Sequence, residues 1–250
     1  MSLLNSHVAD GVATLELNRP EVRNALNVAL VQELSAALAG LEVREDVRAL
    51  VVCGAGGKAF AGGADIGELK DRTHREGLLS LAARLFQQLE DFPRPTVAAL
   101  DGFALGGGLE LALACDLRVG SRSAKVGLPE VSLGILPGAG GTWRLQRLVG
   151  LGRTRDLVFT GRIVDADEAY ALGIFERLVE PGQALAEAQG LARQVAQNAP
   201  LALQVAKVAL NAAARGNEGL PLERLGQALL LDSEDKRARM AAFLEKRARK

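Results

Sequence analysis

Hydrophobic positions along this chain change period several times, and each change marks an element. Residues 3–8 and 12–17 flank Asp10-Gly11, and the second run alternates apolar with polar, which reads as a β-hairpin with a tight turn. Leu30, Leu34, Leu38 and Leu41 recur at helical spacing, so an amphipathic helix is expected over 28–41. Residues 48–53 (RALVVC) form a short apolar run that stops at glycines, the pattern of a buried strand. A helix is expected over 78–89, a second buried strand over 95–100, a small-residue helix over 106–115 and a strand over 117–120. Strands alternating with helices at this spacing predict an α/β layered fold with parallel pairing. Beyond about Leu151 strand signals mostly stop. Asp165 and Glu168 have the spacing of a capping box. Helices are expected over 184–198, 200–214, 220–231 and 234–248, punctuated by Pro181-Gly182 and Asn198-Ala199-Pro200. The expected organisation is a core over 1–195 and a helical C-terminal subdomain over 196–250.

Composition narrows the picture mainly by exclusion. Of 250 residues 48% are hydrophobic, enough for one sizeable core. Lys plus Arg (30) equals Asp plus Glu (30), so there is no broad basic field for nucleic acid and no acidic solvating tail. The start lacks the charged and apolar regions of a signal peptide, and no apolar run approaches the roughly 20 residues that cross a bilayer. Cys53 and Cys115 sit inside apolar runs and read as small core residues, so a reducing, cytoplasmic setting without membrane contact is expected. His7 and His74 are the only histidines, each isolated among polar neighbours and expected at the surface. A His-rich metal site is excluded, no metal is expected, and a Ser/His or Cys/His nucleophile pair is disfavoured. Chemistry here has to run on carboxylates and backbone groups.

Three glycine clusters interrupt the pattern. Gly54-Ala55-Gly56-Gly57-Lys58 follows a strand but fails as a phosphate loop, because residue 52 is valine and Lys58 precedes alanine. Gly138-Ala139-Gly140-Gly141-Thr142-Trp143 carries Trp143 where a dinucleotide fingerprint needs its last glycine. The informative cluster is Gly106-Gly107-Gly108, which opens the 106–115 helix and leaves free N–H groups at its positive end. One turn on stands Glu110, alone in an apolar helix and on the same face as Gly107. A carboxylate there is costly unless paired or functional, and burial would raise its pKa toward the range of proton transfer. A glycine-rich packing contact with Glu110 at the surface fits this segment equally. Glu130 is likewise the only charge in the apolar stretch 126–137, and two such glutamates suggest an acid/base pair. The alternative is that Glu130 merely caps the turn after Pro129.

Six blocks in order now resemble the crotonase (enoyl-CoA hydratase/isomerase) family. They are Leu17-Asn18-Arg19-Pro20 with Asn24-Ala25-Leu26-Asn27, the 59–66 segment AFAGGADI, the 101–116 segment ending in Cys115-Asp116, Leu128-Pro129-Glu130, Leu136-Pro137-Gly138-Ala139-Gly140-Gly141-Thr142, and the tail 240–247. The resemblance implies a crotonase-like spiral of ββα units with a helical C-terminal trimerisation region, giving a homotrimer or a hexamer. It implies a CoA thioester whose carbonyl oxygen lies in an oxyanion hole formed by the Ala64 and Gly107 N–H groups. It also implies catalysis by Glu110, activating water, and Glu130, delivering a proton to the α-carbon. CoA contacts are implied at Arg23, Ala25, Lys58, Ala61, Asp65 and Ile66, and at Phe243 and Lys246 in the tail. No cofactor is implied beyond the CoA that belongs to the substrate.

The function implied is an enoyl-CoA hydratase of fatty-acid or branched-chain acyl-CoA catabolism, with the 109–119 run most like the methylglutaconyl-CoA hydratase branch. Another reaction of the family, enoyl-CoA isomerisation or acyl-CoA hydrolysis, is the near alternative. An RNA-binding relative is the alternative from another class, using Lys236, Arg237, Arg239, Lys246, Arg247, Arg249 and Lys250. Net neutrality and the lack of interleaved aromatics argue against nucleic acid as a partner. Two departures stand out: Trp143 replaces the family's usual glutamine, and the chain stops at Lys250, slightly shorter than many relatives.

Overall fold

The computed structural model describes residues 2–216 and 219–248. The chain opens with the hairpin β1 (Leu4–Ala9) and β2 (Val12–Leu17), joined by Asp10 and Gly11 at φ 51° and 75°, the left-handed pair that suits strand twist. Then follow α1 (Val28–Glu42), β3 (Ala49–Gly54), β4 (Ala59–Ala61), α2 (Ile66–Lys70), α3 (His74–Leu79) and α4 (Leu81–Glu90). The middle comprises β5 (Thr96–Leu100), β6 (Phe103–Leu105), α5 (Gly107–Ala114), β7 (Leu117–Ser121), β8 (Lys125–Gly127), a 3-10 turn (Pro129–Leu133), α6 (Gly141–Val149) and α7 (Leu151–Thr160). The last part holds β9 (Ile163–Asp165), α8 (Ala166–Ala171), β10 (Arg177–Val179), α9 (Ala184–Ala196), α10 (Pro200–Ala214), α11 (Gly219–Leu231) and α12 (Glu234–Ala248).

From β3 to β8 successive strands alternate between two sheets. One has the order β1-β2-β3-β5-β7-β10 and the other β4-β6-β8-β9. Pairing is parallel except at β1/β2 and β8/β9. Each unit β3-β4, β5-β6, β7-β8 thus adds one strand to each sheet and is followed by helix, the ββα spiral. The central strands β3, β5 and β7 of the larger sheet are buried on both faces, which explains the unbroken apolar run in β3. Leu50 and Val52 pack into the main core with α1 and α4, whereas Val51 and Cys53 face α9 through Ala184, Ala188, Leu191 and Ala192. These residues recur at helical spacing, and three of the four are small enough to seat α9 close to the strands.

Where the expected helix over 78–89 was continuous, the chain breaks at Ser80 (φ 29°, ψ 78°). The Ser80 hydroxyl accepts from the Ala83 N–H and caps α4, and Leu78 and Leu79 stay exposed on α3 rather than joining the core face. Helix α10 inverts the usual polarity: Lys207 is buried on it, while Val208 and Leu210 are exposed. Lys207 Nζ binds Asp116 at 2.7 Å and the Arg94 carbonyl at 3.1 Å, and Asn211 donates to the Glu90 carbonyl at 3.0 Å. A polar stripe spaced by four residues therefore docks α10 on the core. No helix among the described residues is long and apolar enough to cross a membrane.

Candidate active site

Strand β6 ends at Leu105, and the chain turns at Gly106 into α5. Gly106 takes φ 52° and ψ −125°, a conformation open to glycine alone, and a Cβ there would stand 2.9 Å from Glu130 Oε1. Gly108 lets α5 lie against β4, since a Cβ at that position would come within 2.0 Å of the Ala61 carbonyl oxygen. This packing brings the start of α5 beside segment 62–65, with the Ala64 nitrogen 3.6 Å from where a Cβ on Gly107 would be. Among the described residues neither the Ala64 nor the Gly107 N–H has a hydrogen-bond acceptor, and both residues are only half-buried. Two free donors bordering one small volume, with the positive end of α5 behind them, suit an oxygen that carries or develops negative charge.

Glu110 follows one turn later and is 3% exposed. Its Oε1 accepts from the Ala139 and Gly141 N–H groups, each at 2.8 Å. Gly141 begins α6, so the carboxylate also faces that helix's N-terminus. Burial pushes the Glu110 carboxyl up; the two N–H donors and Arg144 pull the other way, and burial wins. Glu130, held in the 3-10 turn after Pro129, is 9% exposed, and its Oε2 is buried without a hydrogen-bond partner among the described residues. Its carboxyl is pushed up to about 7, first by burial and then by the charge of Glu110, against the pull of its own backbone N–H. The two glutamates therefore act on one another electrostatically, both inclined to hold a proton. One is gripped on a single oxygen and the other has an oxygen unclaimed, an arrangement that can accept and return protons at a shared point.

Segment 23–26 runs alongside segment 62–65: Gly62 N–H donates to the Arg23 carbonyl, Leu26 N–H to Gly63, and Asp65 N–H to Leu26. Buried Asn24 fixes this edge, its Nδ2 donating to the Ala55 and Ala59 carbonyls at 3.0 and 2.8 Å. Arg23, Ala25, Ala61, Asp65 and Ile66 are thus brought together, with Arg23 5.3 Å over the Phe103 ring and Ile66 exposed at the start of α2. The Asp65 carboxylate is already engaged, capping α2 through Gly67 and pairing with Arg19 at 3.2 Å, so what it supplies directly is the position of the loop beside Ala64. Lys58 is exposed just before β4. Phe243 and Lys246 are exposed on α12, and within one chain no hydrogen bond among the described residues links α12 to the 58–66 segment. Arg249 and Lys250 of the basic tail lie outside the described residues.

Sequence reasoning missed the Ala139 and Gly141 donors. The third glycine cluster was weighed as a nucleotide loop and as a block of the family resemblance, with no donor role given to its N–H groups, while a Gly-Gly-Thr helix start facing an isolated glutamate was the available signal. Trp143, the departure in that motif, stacks with both Arg144 and Arg147, whose guanidinium carbons stand 4.1 and 4.3 Å from the ring centroid.

Comparison with known proteins points the same way. Residues 7–250 match the family described as Enoyl-CoA hydratase/isomerase. The chain is 40% identical over 243 residues to the short-chain-enoyl-CoA hydratase of Clostridium acetobutylicum, covering 94% of this chain and 92% of that protein. It is 41% identical over 251 residues to the human enoyl-CoA hydratase domain-containing protein 2, mitochondrial, covering 96% and 85%. The crystal structure of an enoyl-CoA hydratase from Bacillus anthracis superposes with a TM-score of 0.94 at 35% identity, covering 98% of this chain and 97% of that one.

Proposed function

Because the chain belongs to the enoyl-CoA hydratase/isomerase family, we propose that it is an enoyl-CoA hydratase, adding water across the 2,3 double bond of an enoyl-CoA thioester. The observation that carries the reading is the convergence of Glu110 and Glu130 beside the free Ala64 and Gly107 N–H groups. The thioester oxygen sits between the two N–H groups. Attack of water at the β-carbon breaks the π bond and moves its electron pair onto that oxygen, where fixed donors stabilise the enolate-like charge. Glu110, with Oε1 held by Ala139 and Gly141, takes a proton from the water through its other oxygen. Glu130, whose pKa of about 7 leaves it largely protonated in mildly acidic solution, delivers a proton to the α-carbon. Two acidic groups at one point support hydration over double-bond migration, which can be served by one.

CoA lies along segments 23–26 and 58–66, with the Arg23 and Lys58 cations toward its phosphates. Phe243 and Lys246 close over the adenine end from a neighbouring subunit. Helices 196–250 form the assembly region of a homotrimer, alone or paired into a hexamer. Support comes from exposed Val208, Leu210, Leu225, Leu229, Phe243 and Leu244, more apolar surface than a neutral monomer carries, and from a groove of about 490 Å³ between α10, α11 and α12. The two buried free thiols, Cys53 and Cys115, support a reducing, cytoplasmic setting. The test is a panel of 2-enoyl-CoA thioesters of graded length and branching, followed by loss of enoyl-thioester absorbance. Turnover of at least one member is expected, and no turnover of any would overturn the reading.

A further inference from the structure

Glu90 ends α4 with a buried carboxylate at the helix's C-terminal end, where the macrodipole disfavours negative charge. Three guanidinium groups converge on it. Arg144 reaches Oε2 through Nε at 2.7 Å and Nη2 at 2.6 Å. Arg215, the residue that caps the end of α10, donates to Oε1 at 3.2 Å, and Arg147 stands 3.6 Å from the same oxygen. Arg144 also points the other way: its Nη1 donates to the Ala139 carbonyl at 2.8 Å. The Ala139 N–H is one of the two that hold Glu110. A continuous series of contacts therefore runs from α10 through Glu90 and Arg144 to a carboxylate of the active site.

A buried ion pair is a poor device for stability alone, because apolar residues of equal volume serve as well or better. Its advantage is direction. The planar guanidinium, forked onto Glu90 and stacked on Trp143, fixes where the Ala139 carbonyl lies, and that peptide unit stands between the two that present the Ala139 and Gly141 N–H groups to Glu110.

We propose that Glu90 and Arg144 are positioning residues for hydration: their pair fastens the 137–141 loop so that its N–H groups grip one oxygen of Glu110 and leave the other for water. The inference rests on the hydratase reading of Glu110. Arg215 extends the clamp to α10 and so links the C-terminal helices to the acid/base pair. The charged groups around Glu110 are Glu130 from the 3-10 turn and Arg144 from α6, with Glu90, Arg147 and Arg215 behind Arg144.

Arg144→Met removes the charge and the fork, and Arg144→Lys keeps the charge alone. Two readouts apply: the 13C NMR titration of the Glu110 carboxyl, assigned by its loss in Glu110→Gln, and kcat against pH for hydration of a short 2-enoyl-CoA. In Arg144→Met the Glu110 titration and the acidic limb of kcat should both move to higher pH, because an opposite charge and two fixed donors are weakened together. The rate should fall by up to about 10²-fold, the scale of a 1 Å misplacement, with KM little changed and partial recovery in Arg144→Lys. Loss of the charge alone would leave the Glu110 titration of Arg144→Lys at its wild-type place, and a purely structural role would lower only the folded fraction; a positioning role leaves the titration of Arg144→Lys shifted part of the way. Should Arg144→Met strand Glu90 and fail to fold, the double variant Glu90→Gln/Arg144→Met leaves no lone buried charge and carries the same readouts. A wild-type Glu110 titration and pH profile in the folded variant overturns the proposal and leaves hydration intact. A wild-type enzyme that hydrates no enoyl-CoA removes the hydratase reading, and the NMR titration alone then decides whether the pair sets Glu110.

Discussion

Replacing Glu130 with Gln should make the protein more stable at alkaline pH while disabling it. The side chain is almost fully buried, and its Oε2 has no partner among the described residues, so the substitution breaks no hydrogen bond at that oxygen. What it removes is the cost of a buried negative charge. The carboxyl binds its proton with a pKa of about 7 in the folded chain against 4.5 for the free group. At about 1.4 kcal/mol per pH unit, that gap corresponds to roughly 3 kcal/mol. The sign follows from linkage. A raised folded pKa contributes stability that is fully present below about 4.5 and is lost as pH climbs through about 7. Urea melts of wild type and Glu130→Gln at equal protein concentration, at pH 4.5 and pH 8, measure the difference directly. The variant should gain up to about 3 kcal/mol on wild type between the two pH values. Part of that gap is repulsion from the Glu110 charge, which a neutral Gln at 130 no longer feels. An identical pH dependence in both proteins would refute the claim that Glu130 is held protonated by its surroundings.

Gly107→Pro deletes one of the two free N–H groups at the first position of α5, where a helix tolerates proline and a Cβ meets only ordinary contacts. The folded variant should lose about 10²–10³-fold in kcat, the scale of one oxyanion donor, and a rate near wild type would remove Gly107 from that role. The kcat/KM profile should be bell-shaped, its alkaline limb near pH 7 belonging to the coupled pair as Glu130 loses its proton; a flat profile through that region contradicts the assignment. Light scattering at micromolar concentration should show a trimer or hexamer, and a monomer would withdraw Phe243 and Lys246 from the substrate site.

How much of this could be read from the chain depended on how local each signal was. The β3 run, the leucine spacing of α1 and the C-terminal helices are decided by neighbours within one or two turns, and they stand where expected. Strands β4, β6, β8 and β9 have three residues each, too few to carry a period, so the smaller sheet could not be read residue by residue. Glu110 and Glu130 were visible because each is a lone charge in an apolar segment, an expensive placement that asks for a reason. Their partners were not visible. The donors to Glu110 lie 29 and 31 residues away, and Arg144 meets Glu90 across 54. Contacts that distant exist only after the spiral has closed. The attachment of helix α10 was equally out of reach, since Lys207, Asn211 and Arg215 meet partners 91 to 125 residues away.

The central claim is that Glu110 and Glu130 work on one water, and a double-mutant cycle in hydration of a short 2-enoyl-CoA tests it most directly. Glu110→Gln and Glu130→Gln, each verified as folded, should each lose about 10²–10⁴-fold in rate with CoA-ester affinity little changed. The double variant should lose far less than the product of the two, because groups that act as a unit fail together. Both single variants hydrating at close to the wild-type rate would contradict the account, and one variant remaining nearly fully active would reduce the pair to a single working carboxylate.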